Sequence, residues 1–335
     1  MNALYAFVAI VVLFLIAYLG TVAAGLSSVF GIVVPYAAIA LFLVGFTLRI
    51  VKWARSAVPF RITTTCGQQK SLKFIKSNNL ENPHNLIGVI GRMALEVLVF
   101  RSLFRNTKAE LKDNNRIVYG PDKWLWAGAL AFHWSFLIVF LRHYRFFADP
   151  VPSFVLGLQS VDGIFQIGVP VVYLTSVILL ASVTYLFFRR VMISQLRYIS
   201  LVADYFALFM ILAIAASGIL MRHFYKVDIV RVKELAMGLV SFQPTVPEGI
   251  GFIFFLHLFF VSVLFAYFPF SKLMHLGGVF LSPTRNLVNN NRVTRHINPW
   301  NYDVKTHTYE EYEDEFREVM QEAGLPLEKP LEKVE

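Results

Sequence analysis

Apolar residues in this chain do not alternate with polar ones. They gather in long runs separated by polar stretches. Ala3 to Gly20 is an apolar run of 18 residues, and after a Gly/Ser break at Gly25 to Ser28 a second run covers Val29 to Ile50, with Pro35 near its start. Four more follow, Trp124 to Phe147, Ile164 to Phe188, Leu201 to Met221 and Gly251 to Leu276. At about 1.5 Å of helical rise per residue, each comes close to or exceeds a hydrocarbon core about 30 Å thick. The pattern predicts an all-α, polytopic membrane bundle of about six transmembrane helices. It divides into an N-terminal pair at 1–50, a polar segment at 51–123, a four-helix core at 124–276 and a polar tail at 277–335. The first run also has the length of a signal-peptide core, but Met1-Asn2-Ala3 lacks a basic start, so it reads as a retained span.

Two polar stretches carry helical patterns of their own. Pro83 to Phe104 has Asn82 as an expected N-cap and Pro83 at the first helical position. Arg92, Glu96 and Arg101 interrupt its apolar residues, so it is expected to lie along the headgroups or dock a partner instead of spanning. Tyr309 to Glu322 reads as a short acidic helix ended by Gly324 and Pro326.

Composition agrees with a membrane solvent. The mean hydropathy is +0.58, with 16% charged residues where soluble proteins have about a quarter. Cys66 is the single cysteine, which excludes a disulfide framework or an iron–sulfur site built by this chain alone; in Thr-Thr-Thr-Cys-Gly it reads as a turn residue. Residues 309–335 hold ten acids and three bases, a local charge of −7, so the rest of a chain of net charge +9 carries +16. That excess suits anionic headgroups, and no basic groove interleaved with aromatics points to nucleic acid. From Arg49 to Lys123 there are 14 Lys or Arg against 5 acids, which places this segment in the cytoplasm; Ala148 to Gly163 has no Lys or Arg, as an external loop should. Arg189, Arg190 and Arg197 mark the inside again, and both termini are expected there. Only Arg222 to Gly249, with four bases, runs against the charge rule.

The candidate chemistry lies inside the spans. His133 and His143 are ten residues apart on the third, and His257 and His275 eighteen apart on the sixth, where plain apolar residues would cost less. If the two helices run antiparallel, His133 meets His275 and His143 meets His257. Two such bis-histidine pairs can each hold a haem iron from both sides. The helical rises, about 15 Å and about 27 Å, do not match, and Pro269 offers a kink to absorb the difference. Arg142 and Arg145 beside His143 read as partners for haem propionates or as headgroup anchors. His84, at the aqueous start of the Pro83 helix, reads as a solvated side chain. There is no nucleophile with its base and no phosphate loop. A haem-free transporter or anchor whose histidines relay protons is the competing reading.

The histidine pattern resembles the cytochrome b (gamma) subunit of respiratory nitrate reductases over about residues 120 to 280. FRITTTCGQQKSL at 60–72, LENP at 80–83 and FLSPTRNLVNNNRVTRHINPWN at 280–301 extend the likeness to the M subunit of the sulfite-reduction-associated (Dsr) membrane complex of sulfur-metabolising prokaryotes. The resemblance implies two b-type haems on His133, His143, His257 and His275, paired crosswise, and exchange with a menaquinone pool. It also implies a cytoplasmic iron–sulfur K subunit similar to heterodisulfide reductase, with other membrane, periplasmic multihaem cytochrome c and iron–sulfur subunits as further partners. The membrane subunit of a nitrate reductase or heterodisulfide reductase is the neighbouring reading. Where the nitrate reductase relatives carry a glycine before the outer histidine and a lysine about twenty residues on, this chain has Arg142 and Gly163, so the relatives' quinone pocket does not transfer residue by residue.

Overall fold

Backbone amides in hydrocarbon must be satisfied within their own segment, and the apolar runs fold accordingly. The computed structural model describes residues 1–57, 67–112, 116–294, 297 and 303–329. Six helical segments are long and apolar enough to cross a membrane: Asn2–Ala23, Val29–Ala54, Lys123–Phe146, Leu174–Met192, Val202–Tyr225 and Phe252–Phe270. Their cores are α1 (Asn2–Tyr18), α2 (Val34–Ala54), α5 (Lys123–His143), α7 (Leu174–Met192), α9 (Val202–Ile219) and α11 (Phe252–Tyr267), three of them widened at one end by a π turn. The FRITTTC stretch at 60–66, Cys66 included, lies outside the described residues, as do residues 295–296 and 298–302, which contain NPWN.

Between the spans lie α3 (Leu86–Val99), α4 (Arg101–Phe104), α6 (Ser153–Asp162), α8 (Ser194–Ile199) and α10 (Ile229–Val240), and after the last span come α12 (His275–Leu281) and α13 (Pro283–Asn286). The acidic α14 (Tyr309–Glu322) closes the chain, with a capping box from Thr308 and Glu311. One feature was not expected. β1 (Thr107–Lys112) and β2 (Arg116–Pro121) form an antiparallel hairpin just before α5.

The N-cap of the Pro83 helix is Asn85, not Asn82: the Asn85 side chain accepts from the Gly88 amide at 2.8 Å. Asn82 is instead buried, its amide carbonyl receiving the Asn289 side chain 207 residues away at 2.7 Å. His84 meets Lys70, whose ammonium lies 3.2 Å from Nε2.

The helices pack in a chain of neighbours. α5 lies on α7, α7 on α9, α9 on α1 and α11, and α11 on α2, so the two N-terminal helices belong to the same bundle as the rest. Phe254, Phe255, Leu256, Phe259 and Phe260 of α11 form the core with Ala17, Phe30, Met210 and Leu235. α5 and α11 are not among the closely packed pairs. At one end, Arg189 pairs with Asp122, Arg190 reaches Asp204 at 3.8 Å and Lys272 reaches Asp204 at 2.7 Å. The start of α5 thus shares a side of the bundle with the end of α11, the antiparallel arrangement expected.

The kink expected at Pro269 is a full break. α11 ends at Tyr267, a 3₁₀ turn covers Phe268–Phe270, Ser271 is extended, and a second 3₁₀ turn, Lys272–Met274, leads into His275. The reason is twofold: the proline ring cannot continue the hydrogen-bond ladder, and α2 packs against the bend so closely that a Cβ at Gly45 would lie 2.8 Å from the Pro269 Cβ. We expect Gly45→Val to force α2 off this bend, an overpacking cost of about 1–3 kcal/mol, read as a lowered thermal midpoint in detergent.

Candidate functional site between α5 and α11

The four histidines face one another in two pairs, across a seam where α5 and α11 are not closely packed. The ring centroids of His133 and His275 are 5.9 Å apart with their planes at 85°. Those of His143 and His257 are 6.4 Å apart with planes at 10°. The break at Pro269 is what lets His275 come opposite His133, since eighteen residues of continuous helix would overshoot the ten-residue spacing on α5.

The hydrogen bonds decide which ring nitrogen is free. His133 Nδ1 donates to Ala129 O at 2.8 Å, His143 Nδ1 to Val139 O at 2.7 Å and His275 Nδ1 to Lys272 O at 2.9 Å. A carbonyl can only accept, so each Nδ1 carries the proton and each neutral ring keeps its lone pair on Nε2. For the fourth, Ser217 Oγ donates to Ala213 O at 2.7 Å and lies 2.9 Å from His257 Nδ1. Its one proton committed, the serine accepts from His257. All four imidazoles therefore carry the tautomer of a metal-ligating histidine with its outer nitrogen anchored.

Two metal–imidazole bonds of about 2.0–2.1 Å plus about 1.1 Å on each side from nitrogen to ring centre put opposed rings roughly 6.2–6.4 Å apart; the His143–His257 rings match this at 6.4 Å, and the His133–His275 rings, at 5.9 Å, stand slightly closer. His143 and His275 are exposed and His133 and His257 half-buried, so a planar group can reach every ring. Among the described residues no group of three or more His, Cys, Asp or Glu could hold a bare metal ion. A two-histidine site suits an iron whose other four ligands come from a macrocycle. Phe100 and Phe132 stand edge-on to His133, each with centroids 4.9 Å away, giving the His133–His275 pair an apolar wall.

Arg142 does not extend to the headgroups. It is buried, with Nε 2.9 Å from Asp162 Oδ2 and Nη2 donating to Ser176 Oγ at 3.1 Å. Asp162 is also buried and accepts from the Thr175 amide at 2.7 Å and the Thr175 hydroxyl at 2.6 Å, so the acid expected in an external loop is the counter-ion of Arg142. The Tyr173 ring lies between two guanidiniums, Arg142 at 3.8 Å and Arg222 at 4.4 Å. Arg222 also donates to Val171 O at 3.1 Å, which gives one of the four bases that ran against the charge rule a structural role. Arg145, on the 3₁₀ turn Tyr144–Phe146, forms no ion pair with a described residue.

Asp162, Tyr173, Ser217 and Arg222 were not among the expected site residues. Ser217 had a faint signal, a lone hydroxyl deep in an apolar helix, and Arg222 stood among the four bases that ran against the charge rule; Tyr173 had none. We expect Ser217→Ala to free the His257 ring, so that a haem held by that pair would be retained about 10–100-fold more weakly, read by haem loss to apomyoglobin.

A family model, the nitrate reductase gamma subunit, matches residues 86–296, a stretch that contains all four histidines. The chain belongs to the nitrate reductase gamma subunit family. The Hdr-like menaquinol oxidoreductase cytochrome b-like subunit of Archaeoglobus fulgidus is 46% identical over 282 residues, covering 82% of this chain and 84% of that protein. The subunit of the same name from Archaeoglobus profundus is 41% identical over 273 residues, covering 79% and 81%. The gamma-family match begins at α3 and runs past α13, so the α3 segment is part of the family's region while α1 and α2 precede it.

Proposed function

We propose that this chain is a dihaem b-type membrane cytochrome that carries electrons between a menaquinone pool and a protein partner. The carrying observation is the pair of cross-helix histidine contacts at axial-ligand separation, with every Nδ1 anchored and every Nε2 available. His133 and His275 would hold the inner haem, His143 and His257 the outer. Bound haem would supply one-electron chemistry, and the two histidine pairs would hold it at two depths along the bundle.

The names of the two Archaeoglobus relatives, as menaquinol oxidoreductase subunits, support quinone as the lipid-soluble partner. Loop charge supports an inside location for the 51–123 segment and the tail, where an iron–sulfur subunit of the K type, resembling heterodisulfide reductase, would dock. On this reading the protein sits in a prokaryotic cytoplasmic membrane with both termini inside, its complex completed by other membrane, periplasmic multihaem cytochrome c and iron–sulfur subunits. The motif resemblance to the Dsr M subunit favours dissimilatory sulfur metabolism over nitrate reduction. Co-purification under mild detergent tests this choice: an iron–sulfur protein of the heterodisulfide reductase type is expected, and a molybdenum nitrate reductase would contradict it.

The ring planes give a second expectation. Crossed axial planes leave the iron dπ orbitals nearly degenerate, whereas parallel planes split them. The oxidised His133–His275 haem should therefore show the more anisotropic low-spin paramagnetic resonance signal, and His275→Met should abolish that signal while leaving the rhombic one.

A further inference from the structure

α3 is amphipathic with its charges turned inward. Val89, Arg92 and Glu96 are buried, with Glu96 paired to Arg285 of α13 at 3.1 Å and accepting from the Ser102 amide at 3.3 Å. The opposite face is exposed and wholly aliphatic: Leu86 at 67%, Ile87 at 80%, Ile90 at 60%, with Ala94, Val97 and Leu98 continuing the stripe. An exposed apolar stripe on a soluble surface would be a liability, and burial of Arg92 and Glu96 opposite it would be wasteful.

The end of this helix is fixed at a definite depth. Trp126 Nε1 donates to Val99 O at 2.7 Å and Trp134 Nε1 donates to Leu98 O at 2.9 Å. Both tryptophans belong to the Lys123–Phe146 span, eight residues and so about 12 Å apart along it, and the end of α3 lies between their levels. The indoles satisfy carbonyls left without partners where α3 terminates, as backbone at membrane depth requires. Phe100 follows with φ of +51° and lays its ring against His133.

We propose that α3 is a half-inserted helix whose Leu86–Ile87–Ile90–Val97 face contacts lipid acyl chains. Two observations select lipid over a protein partner. The stripe meets α5 where Trp134 bonds the Leu98 carbonyl, and Trp134, Leu137 and Phe140 of α5 are exposed as well. It also carries none of the aromatic, Met or Arg side chains that enrich protein interfaces. The proposal stands on the packing of α3 and holds whether or not the histidines carry haem.

The test uses the full chain in nanodiscs, with Cys66→Ser and bimane attached at Ile87→Cys or Ile90→Cys. Brominated acyl chains should quench both positions as strongly as a Leu137→Cys control, and aqueous iodide should leave them unquenched. Quenching by iodide would place the stripe in water, and quenching by neither would place it under protein; both results overturn the proposal. A bilayer-confined photoactivated carbene checks the unaltered chain: it should modify the 86–98 stripe along with α5, and modification of α5 alone would overturn the proposal without any variant.

Discussion

Replacing His143 with alanine should lower the haem content from two per chain to one, and replacing His257 should remove the same haem. His143 and His257 lie 6.4 Å apart with nearly parallel rings, whereas His143 has no contact with the other pair. Losing one axial nitrogen leaves a neutral ring on α11 with nothing opposite, so retention of a low-spin iron fails at that site while His133 and His275 remain anchored through Ala129 O and Lys272 O. Reduced-minus-oxidised spectra of the two variants should superimpose, and those of His133→Ala and His275→Ala should superimpose on each other. If His143→Ala and His275→Ala deleted the same spectral component, the crosswise pairing would be wrong.

Asp162→Ala should destabilise the fold by about 3–5 kcal/mol, because it strands Arg142 as a buried cation. The Arg142 side chain is 9% exposed and that of Asp162 2%, so water cannot replace the lost carboxylate. The Thr175 amide and hydroxyl lose their acceptor in the same change. Removing both charges together, as Arg142→Met with Asp162→Leu, should recover much of the loss, since a buried ion pair is often no better than an apolar one of similar volume. Thermal midpoints in detergent decide this, and a single Asp162→Ala as stable as the parent would mean the pair is solvated. The double variant separates stability from function: if it folds but its outer haem spectrum shifts, the guanidinium also acts on that site.

The spans were legible in sequence because a hydrocarbon solvent leaves few options to an apolar run, and the histidine pairing followed from two spacings and an antiparallel guess. What stayed hidden depended on distant partners. Asn82 and Asn85 are three apart on either side of Pro83 and Asn85 turned out to cap α3, because Asn82 is claimed by Asn289. The strand pair was missed because β1 alternates, Lys108, Glu110 and Lys112 against Ala109 and Leu111, over only six residues, while β2 runs Ile117-Val118-Tyr119 without alternation and is exposed along most of its length. Pro269 announced a distortion, but its size depends on Gly45 of α2, 224 positions earlier. Arg142 and Asp162 each had an ordinary local reading, as headgroup anchor and loop acid, that only their packing together displaced.

Haem b per chain, measured by the pyridine haemochrome on protein whose concentration comes from amino-acid analysis, tests the central claim most directly. Two per chain is the expected value, falling to one in any single histidine variant of the four. A colourless preparation with no Soret band, or one haem per chain that survives loss of His143 and of His133 alike, would contradict it.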